Sequence, residues 1–327
     1  MRASDRGSSL PSHTGVSSEN AAFDRRLDWA RSYLDAGDAG AGEGMLEDLV
    51  GEAPGFSAAW FVLGESRERT GAHDGAILAY RQVVILDPSD PLGAGACLAR
   101  LGAQAVSGAL SPAFVRALFD QYAPRFDASL RGRLAYRGPE VLAAAVSQVR
   151  ESEGITAGGS RAFDRVLDLG CGTGLCAPLF APLAREMVGV DLAPRMIAEA
   201  ERLGLYSALH AGDMHAFLAD EADASADLIL MADAACYLGE LGPVLAQVGR
   251  VLRPAGHFAF TAETHAGPGM ILTPGLRYAH SAALLAALVA ASGLSLCHLA
   301  PAWARQEHGI PVPGLVAVAR GVSATAP

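Results

Sequence analysis

The chain has 327 residues, of which 51% are hydrophobic, and a formal net charge of −10 at pH 7. This composition is typical of a globular protein with a substantial core, and the length allows two domains. The acidic charge argues against a general binder of nucleic acid or of anionic membranes. All 25 basic residues are arginine, and the lack of lysine excludes a Walker-type phosphate loop and lysine-based catalysis.

Cysteine and histidine spacing bears on redox state and on metal binding. The five cysteines are odd in number and form no Cys-x-x-Cys pair, and no two histidines stand in a His-x-His or His-x-x-x-His pair. We therefore expect reduced thiols, with no disulfide framework and no metal site. No secretory signal is apparent at the N-terminus, and the most apolar window, 282–291, is too short to span a bilayer. A cytoplasmic protein is expected.

The first part of the chain is predicted to be a tail followed by a repeat domain. Residues 1–20 are rich in Ser, Gly, Pro and His, which favours disorder. Within 21–105, similar residues recur 34 positions apart, for example Pro54 and Pro88. The second repeat, which begins at Trp60, has the spacing of a tetratricopeptide (TPR) helix pair, so we predict a TPR-like helical domain with a capping helix near its end. Such repeats are expected to bind a partner, a substrate or a second copy of the chain, and the alternative is that they only pack.

Residues 106–160 are predicted to form a helical lid or linker. Aromatic residues recur at helical spacing between Phe114 and Phe126. A helical segment just before the first strand of an α/β domain is well placed to cover a ligand. Tyr122, Phe126 and Tyr136 would then cover the bound molecule and shape the pocket beside it. The alternative is that these aromatic residues belong to an ordinary core.

After residue 160 the pattern changes to alternating strands and helices. Such alternation with short connections predicts a parallel sheet covered on both faces. We therefore predict that 161–322 form an α/β domain with a Rossmann-like, seven-stranded sheet. Its last two strands are expected to form an antiparallel edge, because no helix separates them. The predicted strands lie near 164–169, 186–191, 207–211, 227–232, 256–262, 294–299 and 313–319, and the predicted helices near 139–150, 175–184, 194–203, 241–252 and 281–292.

The most informative stretch is Val166–Gly174, an apolar run that ends in Gly-x-Gly-x-Gly. It predicts a buried strand, a tight turn and a helix N-terminus, and its glycines let the backbone approach a ligand closely. A dinucleotide-binding loop needs Gly-x-Gly-x-x-Gly, and Leu175 stands where its third glycine belongs. Asp168, two residues before the first glycine, suits a ligand with an ammonium or sulfonium charge.

Two further acids follow the next two predicted strands. Asp191 is placed to bind ribose hydroxyl groups, and Asp213 could accept a hydrogen bond from an adenine amino group while Met214 packs on the ring. Three acids at successive strand ends, in a chain without lysine to neutralise phosphates, describe a cationic nucleoside ligand. The predicted cofactor is therefore S-adenosyl-L-methionine, with S-adenosyl-L-homocysteine as the product.

These residues resemble the motifs of class I S-adenosylmethionine-dependent methyltransferases over residues 162–320. Asp168–Gly174 resembles their first motif, Asp191–Met196 the second and Gly212–Met214 the third. The wider chain is similar to a bacterial branch that joins TPR repeats to this fold, and it shares the Arg277-Tyr-x-His280 motif of that branch. The predicted cofactor-binding residues are Asp168, Gly170, Cys171, Gly172, Gly174, Asp191, Leu192, Met196, Asp213, Met214, Asp233 and Tyr122.

Groups that act on the methyl acceptor are expected beyond the fourth and fifth strands, at the carboxyl edge of the sheet. A base is needed only where the acceptor carries a proton that must leave. The catalytic candidates are Glu263 and His265 after the fifth strand and His280 in the shared motif, and each could instead be an ordinary hydrogen-bonded core or capping residue. The predicted substrate contacts are Tyr136, Tyr237, Arg277 and Tyr278.

The function predicted from these features is transfer of a methyl group to an oxygen or nitrogen nucleophile of an unidentified acceptor. TPR repeats favour a peptide or protein acceptor, whereas an aromatic lid favours a small molecule. No nucleic-acid or membrane partner is expected. The alternative is a TPR adaptor in which the methyltransferase fold is a non-catalytic scaffold, and a nicotinamide dehydrogenase is a weaker alternative because the glycine spacing is wrong.

Overall fold

A computed structural model describes residues 17–123, 134–155 and 162–322 of the protein. In these ranges, no helix is long and apolar enough to cross a membrane. The same residues hold no group of three or more His, Cys, Asp or Glu side chains that could bind a metal ion. Most of the predicted tail, 1–20, lies outside the described ranges, and so does Phe126 of the predicted lid.

The described residues divide into two compact units. The helical unit comprises the chain up to Leu118 together with Pro274–Leu276, and the sheet unit comprises Phe119–Thr273 and the chain from Arg277 onward. Each unit has buried hydrophobic clusters of its own, which is the physical criterion for a domain.

The helical unit contains the helix pairs that the 34-residue repeat predicts. Leu27, Leu46 and Leu63 are buried together in its core. Gly64 lies so close to Tyr80 that a Cβ atom at this position would be 2.6 Å from the tyrosine ring, so the glycine permits two helices to approach. The helices are α1 (Ala21–Asp35), α2 (Ala39–Glu52), α3 (Ser57–Thr70), α4 (His73–Leu86), α5 (Ala94–Arg100) and α6 (Pro112–Tyr122), of which α6 enters the sheet unit at Phe119.

In the helical unit, three hydrogen bonds hold the carboxylate of Glu68. The Tyr80 hydroxyl donates to Oε2 of Glu68 at 3.0 Å. Arg100 donates to both oxygens of the same carboxylate, at 3.0 Å from Nε and 2.8 Å from Nη2. Burial and the neighbouring carboxylate raise the pKa of the Tyr80 phenol far above its usual range. The charge of Glu68 is therefore compensated within the protein.

The sheet unit is an α/β domain in which β1 to β5 run parallel. The strand order is β3-β2-β1-β4-β5-β11-β8, with β7 and β6 added beside β5. Its strands are β1 (Phe163–Leu169), β2 (Ala184–Asp191), β3 (Ala208–Ala211), β4 (Ala226–Met231), β5 (Leu252–Thr264), β6 (Met270–Leu272), β7 (Tyr278–His280), β8 (Leu294–Ala302), β9 (Gln306–Glu307), β10 (Ile310–Pro311) and β11 (Gly314–Gly321), and its helices are α7 (Gly138–Ser152), α8 (Ala177–Phe180), α9 (Pro194–Glu201), α10 (Met214–Asp220), α11 (Leu241–Val251) and α12 (Ala282–Ala291).

The predicted fold class is confirmed, and so is the antiparallel pairing of the last two predicted strands. All seven predicted strands are present, and β6 and β7 enlarge the sheet to nine strands. The last strand, β11, is antiparallel to both β5 and β8 and lies between them. The last two predicted strands, β8 and β11, therefore form the expected antiparallel edge, with β8 outermost.

Neighbouring residues on the central strands supply the two faces of the sheet. Leu167 and Ile229 belong to a cluster that includes residues of α11. Val166 and Leu228, one position earlier on the same strands, belong to a second cluster that includes residues of α7. Because successive side chains on a strand point to opposite faces, these near-continuous apolar runs bury the sheet on both sides, as expected for parallel strands. The functional groups are left to the strand ends.

Candidate functional site

The glycine loop joins the carboxyl end of β1 to α8. Gly170, Gly172 and Gly174 have φ values of +68°, +57° and +89°, a region that side chains resist. The backbone N–H of Gly170 donates to the Val190 carbonyl at 2.8 Å, which fastens the loop to β2. A Cβ atom at position 170 would also be 2.8 Å from Cβ of Ala234. The Gly-x-Gly-x-Gly pattern is thus required by backbone conformation and by close approach.

Asp168, at the end of β1, is 1% exposed. Its Oδ2 accepts a hydrogen bond of 2.7 Å from the Tyr206 hydroxyl, whereas its buried Oδ1 has no hydrogen-bond partner among the described residues. Burial raises the pKa of this carboxyl to about 7, against the opposing effect of the Tyr206 hydrogen bond. A buried carboxylate oxygen without a partner is costly. The site therefore fits a ligand that brings a positive charge or a donor to Oδ1.

Asp191 lies at the end of β2, beside the glycine loop. Its Oδ2 accepts from the N–H of Gly172 at 2.9 Å, and its Oδ1 accepts from the N–H of Ala193 at 2.9 Å. These two bonds oppose the effect of burial, which raises the pKa of the carboxyl. Each oxygen retains a second acceptor position. Asp191 is thus held in one orientation and can still accept hydrogen bonds from a ligand.

Asp213 follows β3 and has a structural role of its own. It is exposed, and its Oδ1 accepts from the N–H of Ala216 at 2.9 Å as the N-cap of α10. Such a cap stabilises a helix by about 1 kcal/mol. Met214 lies beside the glycine loop, with Cε 3.6 Å from the position that a Cβ of residue 170 would occupy. The adenine contacts predicted for both residues stay predictions.

The remaining predicted cofactor residues differ in exposure. Met196 is fully buried with Ala123 and Ala193, so packing explains its apolar side chain. Tyr122 is 39% exposed. Cys171 is buried in the glycine loop and Leu192 is half-buried after β2, and burial raises the pKa of the Cys171 thiol well above its usual range.

The last residues of α6, Phe119–Tyr122, belong to the sheet unit and lie against its loops. The ring of Phe119 contacts that of Tyr237 at a centroid distance of 5.0 Å, nearly edge to face. The N–H of Arg195 donates to Oδ1 of Asp120 at 3.0 Å. These contacts bring Phe119 and Asp120 of the predicted lid to the segment after β4 and to the start of α9, next to the glycine loop.

A buried ion network occupies the carboxyl ends of β4 and β5. Arg305 is 5% exposed, and its Nη1 donates to the two oxygens of Asp233 at 2.8 and 2.6 Å. The Nη2 of Arg305 contacts Glu263, which also accepts from Nε of Arg277 at 2.7 Å. Glu307 in turn contacts Arg277. The network brings together Asp233, Glu263 and Arg277, all three of which were predicted site residues. The roles of Arg305 and Glu307 were not predicted from the sequence.

Two of the catalytic candidates already have protein partners. Two guanidinium groups contact Oε1 of Glu263, an arrangement typical of a structural ion pair. His265 holds the turn that follows β5, since its Nδ1 accepts from the N–H of Gly267 at 3.2 Å and its Nε2 lies 3.1 Å from the Gly269 carbonyl. Both residues therefore have structural roles that the sequence left open.

His280, the third catalytic candidate, differs from the other two. It is 1% exposed, and neither of its ring nitrogens has a hydrogen-bond partner among the described residues. Burial, assisted by His265, lowers its pKa to about 4. The ring is therefore neutral at pH 7 and retains the capacity to accept a proton.

The predicted substrate tyrosines occupy different environments. Tyr278 is fully buried, whereas Tyr136 and Tyr237 are half-buried. Burial raises the pKa of both half-buried phenols, and the neighbouring carboxylates of Asp233 and Asp168 raise that of Tyr136 further. Tyr136 thus stands near the acids at the ends of β1 and β4.

Two family models match the chain, one in each unit. Residues 167–260 match the methyltransferase domain family, and residues 27–91 match a tetratricopeptide repeat family. The first match covers the glycine loop and β1 to β5, and the second covers the helix pairs of the helical unit. The sheet unit therefore contains a stretch similar to the methyltransferase domain family, and the helical unit contains TPR repeats, as predicted.

Individual relatives match shorter stretches. The chain is 31% identical over 135 residues to trans-aconitate 2-methyltransferase of Pseudomonas aeruginosa. This match covers 35% of this chain and 48% of the relative. It is 33% identical over 102 residues to malonyl-(acyl-carrier protein) O-methyltransferase of Enterobacter lignolyticus, which covers 31% of this chain and 40% of the relative. The chain thus spans less than half of the length of these curated relatives.

Among solved structures, the chain is similar to 1,6-didemethyltoxoflavin-N1-methyltransferase of Burkholderia thailandensis, crystallised with 1,6-didemethyltoxoflavin and S-adenosylhomocysteine. The two are 21% identical with a TM-score of 0.45, and the match covers 62% of this chain and 87% of that one.

Proposed function

We propose that this protein transfers a methyl group from S-adenosyl-L-methionine to an oxygen or nitrogen atom of a small-molecule or peptide acceptor, with S-adenosyl-L-homocysteine as the second product. One observation carries the proposal. Asp168 buries a carboxylate oxygen that has no partner among the described residues, just before the glycine loop that follows the first strand. A cationic ligand is the natural partner for that oxygen.

The residues around the loop fit the proposed cofactor. Asp168 would hold its charged methionine end, Asp191 would accept from its ribose hydroxyls, and Asp213 and Met214 would contact its adenine. The chain has no lysine, which agrees with a ligand without phosphates. When bound, the cofactor supplies an activated methyl group. The task of the protein is then to orient the acceptor against that group and to exclude water.

His280 is the proposed general base where the acceptor must lose a proton. Its burial keeps the imidazole neutral at pH 7, with a pKa of about 4, so Nδ1 or Nε2 can accept the proton. Because such a pKa makes the ring a weak base, the proposal applies best to acceptors that release a proton readily. Glu263 and Arg277 would position the loops through their ion network, while Tyr136 and Tyr237 would line the acceptor side.

The acceptor atom and the role of the repeats belong to the same proposal. The relatives include an enzyme named as an O-methyltransferase and one named as an N1-methyltransferase, so both atoms remain candidates. TPR repeats generally serve protein interactions, and we propose that the helical unit recruits a peptide or protein acceptor or a partner. A cytoplasmic location suits the free cysteine thiols.

Isothermal titration of the full chain with S-adenosyl-L-methionine and with S-adenosyl-L-homocysteine tests the proposal. Both should bind, and Asp168→Asn and Asp191→Ala should each weaken binding at least tenfold. Asp164→Asn is a matched control, because Asp164 lies on the same strand as Asp168 but at its exposed end. Absence of binding by the wild-type protein would overturn the proposal.

A second experiment separates an enzyme from a non-catalytic scaffold. Cell extract is incubated with the protein and methyl-labelled cofactor, and the label is followed into polypeptide and small-molecule fractions. Label in either fraction, lost with Asp191→Ala, supports catalysis and reports the acceptor class. Cofactor binding without transfer to either fraction would favour the adaptor function instead.

A further inference from the structure

We infer that Tyr206 is a positioning residue for the cofactor: its hydroxyl holds Asp168 so that Oδ1 is the oxygen presented to the positive charge of the ligand. This inference rests on the proposed function. Tyr206 lies in the connection between α9 and β3, 38 residues beyond Asp168, outside every motif that the sequence analysis identified.

The ring of Tyr206 packs directly against two glycines. A Cβ atom at Gly174 would be 3.0 Å from Cε2 of the ring, and one at Gly189 would be 2.9 Å from Cε1. Gly174 belongs to the glycine loop and Gly189 to β2. The ring therefore fills a space that exists only because both residues lack a side chain, and its hydroxyl has a defined position under the loop.

That hydroxyl donates a hydrogen bond of 2.7 Å to Oδ2 of the Asp168 carboxylate. A phenol O–H can donate once, and it occupies Oδ2 while Oδ1 stays buried without a partner in the described part of the chain. Donation by a fixed hydroxyl favours the ionised carboxylate and selects its rotation. The hydroxyl thus binds Oδ2 and leaves Oδ1 to the ligand.

The other titratable groups near Asp168 do not supply this function. Asp191 is an acid and repels the charge of Asp168. Burial raises the pKa values of the Cys171 and Cys176 thiols and of the Tyr136 phenol, so these groups are neutral near pH 7 and carry no compensating charge. The hydrogen bond from Tyr206 is the interaction that opposes the effect of burial on Asp168.

The test uses Tyr206→Phe, which keeps the ring and removes the hydroxyl, in the full chain without cofactor. The carboxyl carbon of Asp168, labelled with ¹³C and assigned with Asp168→Asn, is titrated by NMR. Loss of a hydrogen bond to an ionised group should raise the midpoint by about one pH unit. An unchanged midpoint would overturn the inference, and this readout does not depend on whether the protein binds S-adenosylmethionine.

Cofactor binding gives a second readout when the wild-type protein binds. Tyr206→Phe should weaken S-adenosylmethionine about tenfold at pH 6.5, and this loss should vanish in the Asp168→Asn background. An equal loss in both backgrounds would assign Tyr206 a purely structural role. Failure of the wild type to bind would instead contradict the proposed function, while the NMR titration still decides the role of Tyr206.

Two further variants provide the control and a safeguard. Tyr80→Phe also removes a tyrosine hydroxyl from a carboxylate, but in the helical unit, and it should leave the Asp168 midpoint unchanged. If Tyr206→Phe does not fold, Asp168→Asn tests the contact from its other side. Burial and the adjacent Asp168 carboxylate both raise the pKa of the Tyr206 phenol. Loss of that carboxylate should lower the pKa, and an unchanged phenol titration would contradict the inference.

Discussion

The two units each contain a tyrosine that lies against glycine and donates to a carboxylate. In the helical unit Tyr80 lies against Gly64 and donates to Glu68, and in the sheet unit Tyr206 donates to Asp168. The two sites differ in whether an arginine also binds the carboxylate. Arg100 binds both oxygens of Glu68, whereas Asp168 has no cation and one oxygen without a partner in the described residues.

This comparison separates a structural carboxylate from a ligand-binding one. A positive charge stabilises a buried or half-buried carboxylate, and a fold can supply that charge itself or leave it to a ligand. The helical unit supplies an arginine, as do the loops around Glu263 and Asp233. At Asp168 the positive charge is left to the proposed cofactor.

The largest effect is expected where a structural carboxylate loses its arginine. Arg305→Met should lower the free energy of unfolding of the sheet unit by about 3–5 kcal/mol, because it leaves Asp233 and Glu263 without their shared guanidinium. Denaturant unfolding followed by the fluorescence of Trp303 measures this change. Arg305→Lys should recover part of the loss, and wild-type stability in Arg305→Met would contradict the assignment of a structural network.

Arg100→Met applies the same change to the helical unit. The Glu68 carboxylate would then keep its hydrogen bond from Tyr80 but lose its arginine, as is the case for Asp168 and Tyr206. Because both side chains of the ion pair are partly exposed, the expected loss is smaller, about 2 kcal/mol. Hydrogen exchange over α3 to α5 should report it locally, and Arg69→Met, on the exposed surface of α3, is the control that should leave exchange unchanged.

The pH dependence of cofactor binding should report the ionisation of Asp168. Burial raises the pKa of Asp168 to about 7, and only the ionised form attracts a cation. Affinity for S-adenosylmethionine should therefore fall about tenfold as the pH is lowered from 8 to 6, with a proton released on binding at the lower pH. Calorimetry in buffers of different ionisation enthalpy measures both quantities. Retention of the full pH dependence by Asp168→Asn would contradict this role.

The smallest effect concerns the protein without cofactor. Because the pKa of Asp168 is higher in the folded state than in the unfolded state, the native protein binds more protons between pH 4 and 7, and stability should decrease as the pH rises through this range. Asp168→Asn should remove that decrease, so its stability relative to the wild type should rise as the pH increases from 4 to 8. Thermal unfolding across this pH range tests the sign, and Asp164→Asn should show no such gain.

Much of the fold could be predicted because its signals are local. Apolar runs bounded by glycine predict the seven strands of the main order to within a few residues. The short helix Met214–Asp220 was not predicted, because seven residues offer too few turns for a helical period to emerge. The position of β11 between β5 and β8 was not predicted either, since pairing order depends on contacts between distant segments.

The sequence by itself determined the glycine loop, the three acids at strand ends and the repeat period, because each depends on spacing within a short stretch. Only the tertiary structure decided which acids are compensated. Arg305 reaches Asp233 across 72 residues and Tyr206 reaches Asp168 across 38, and neither distance leaves a periodic signal. Whether a carboxylate is structural or awaits a ligand depends on its burial and on the cation beside it, and both are properties of the folded chain.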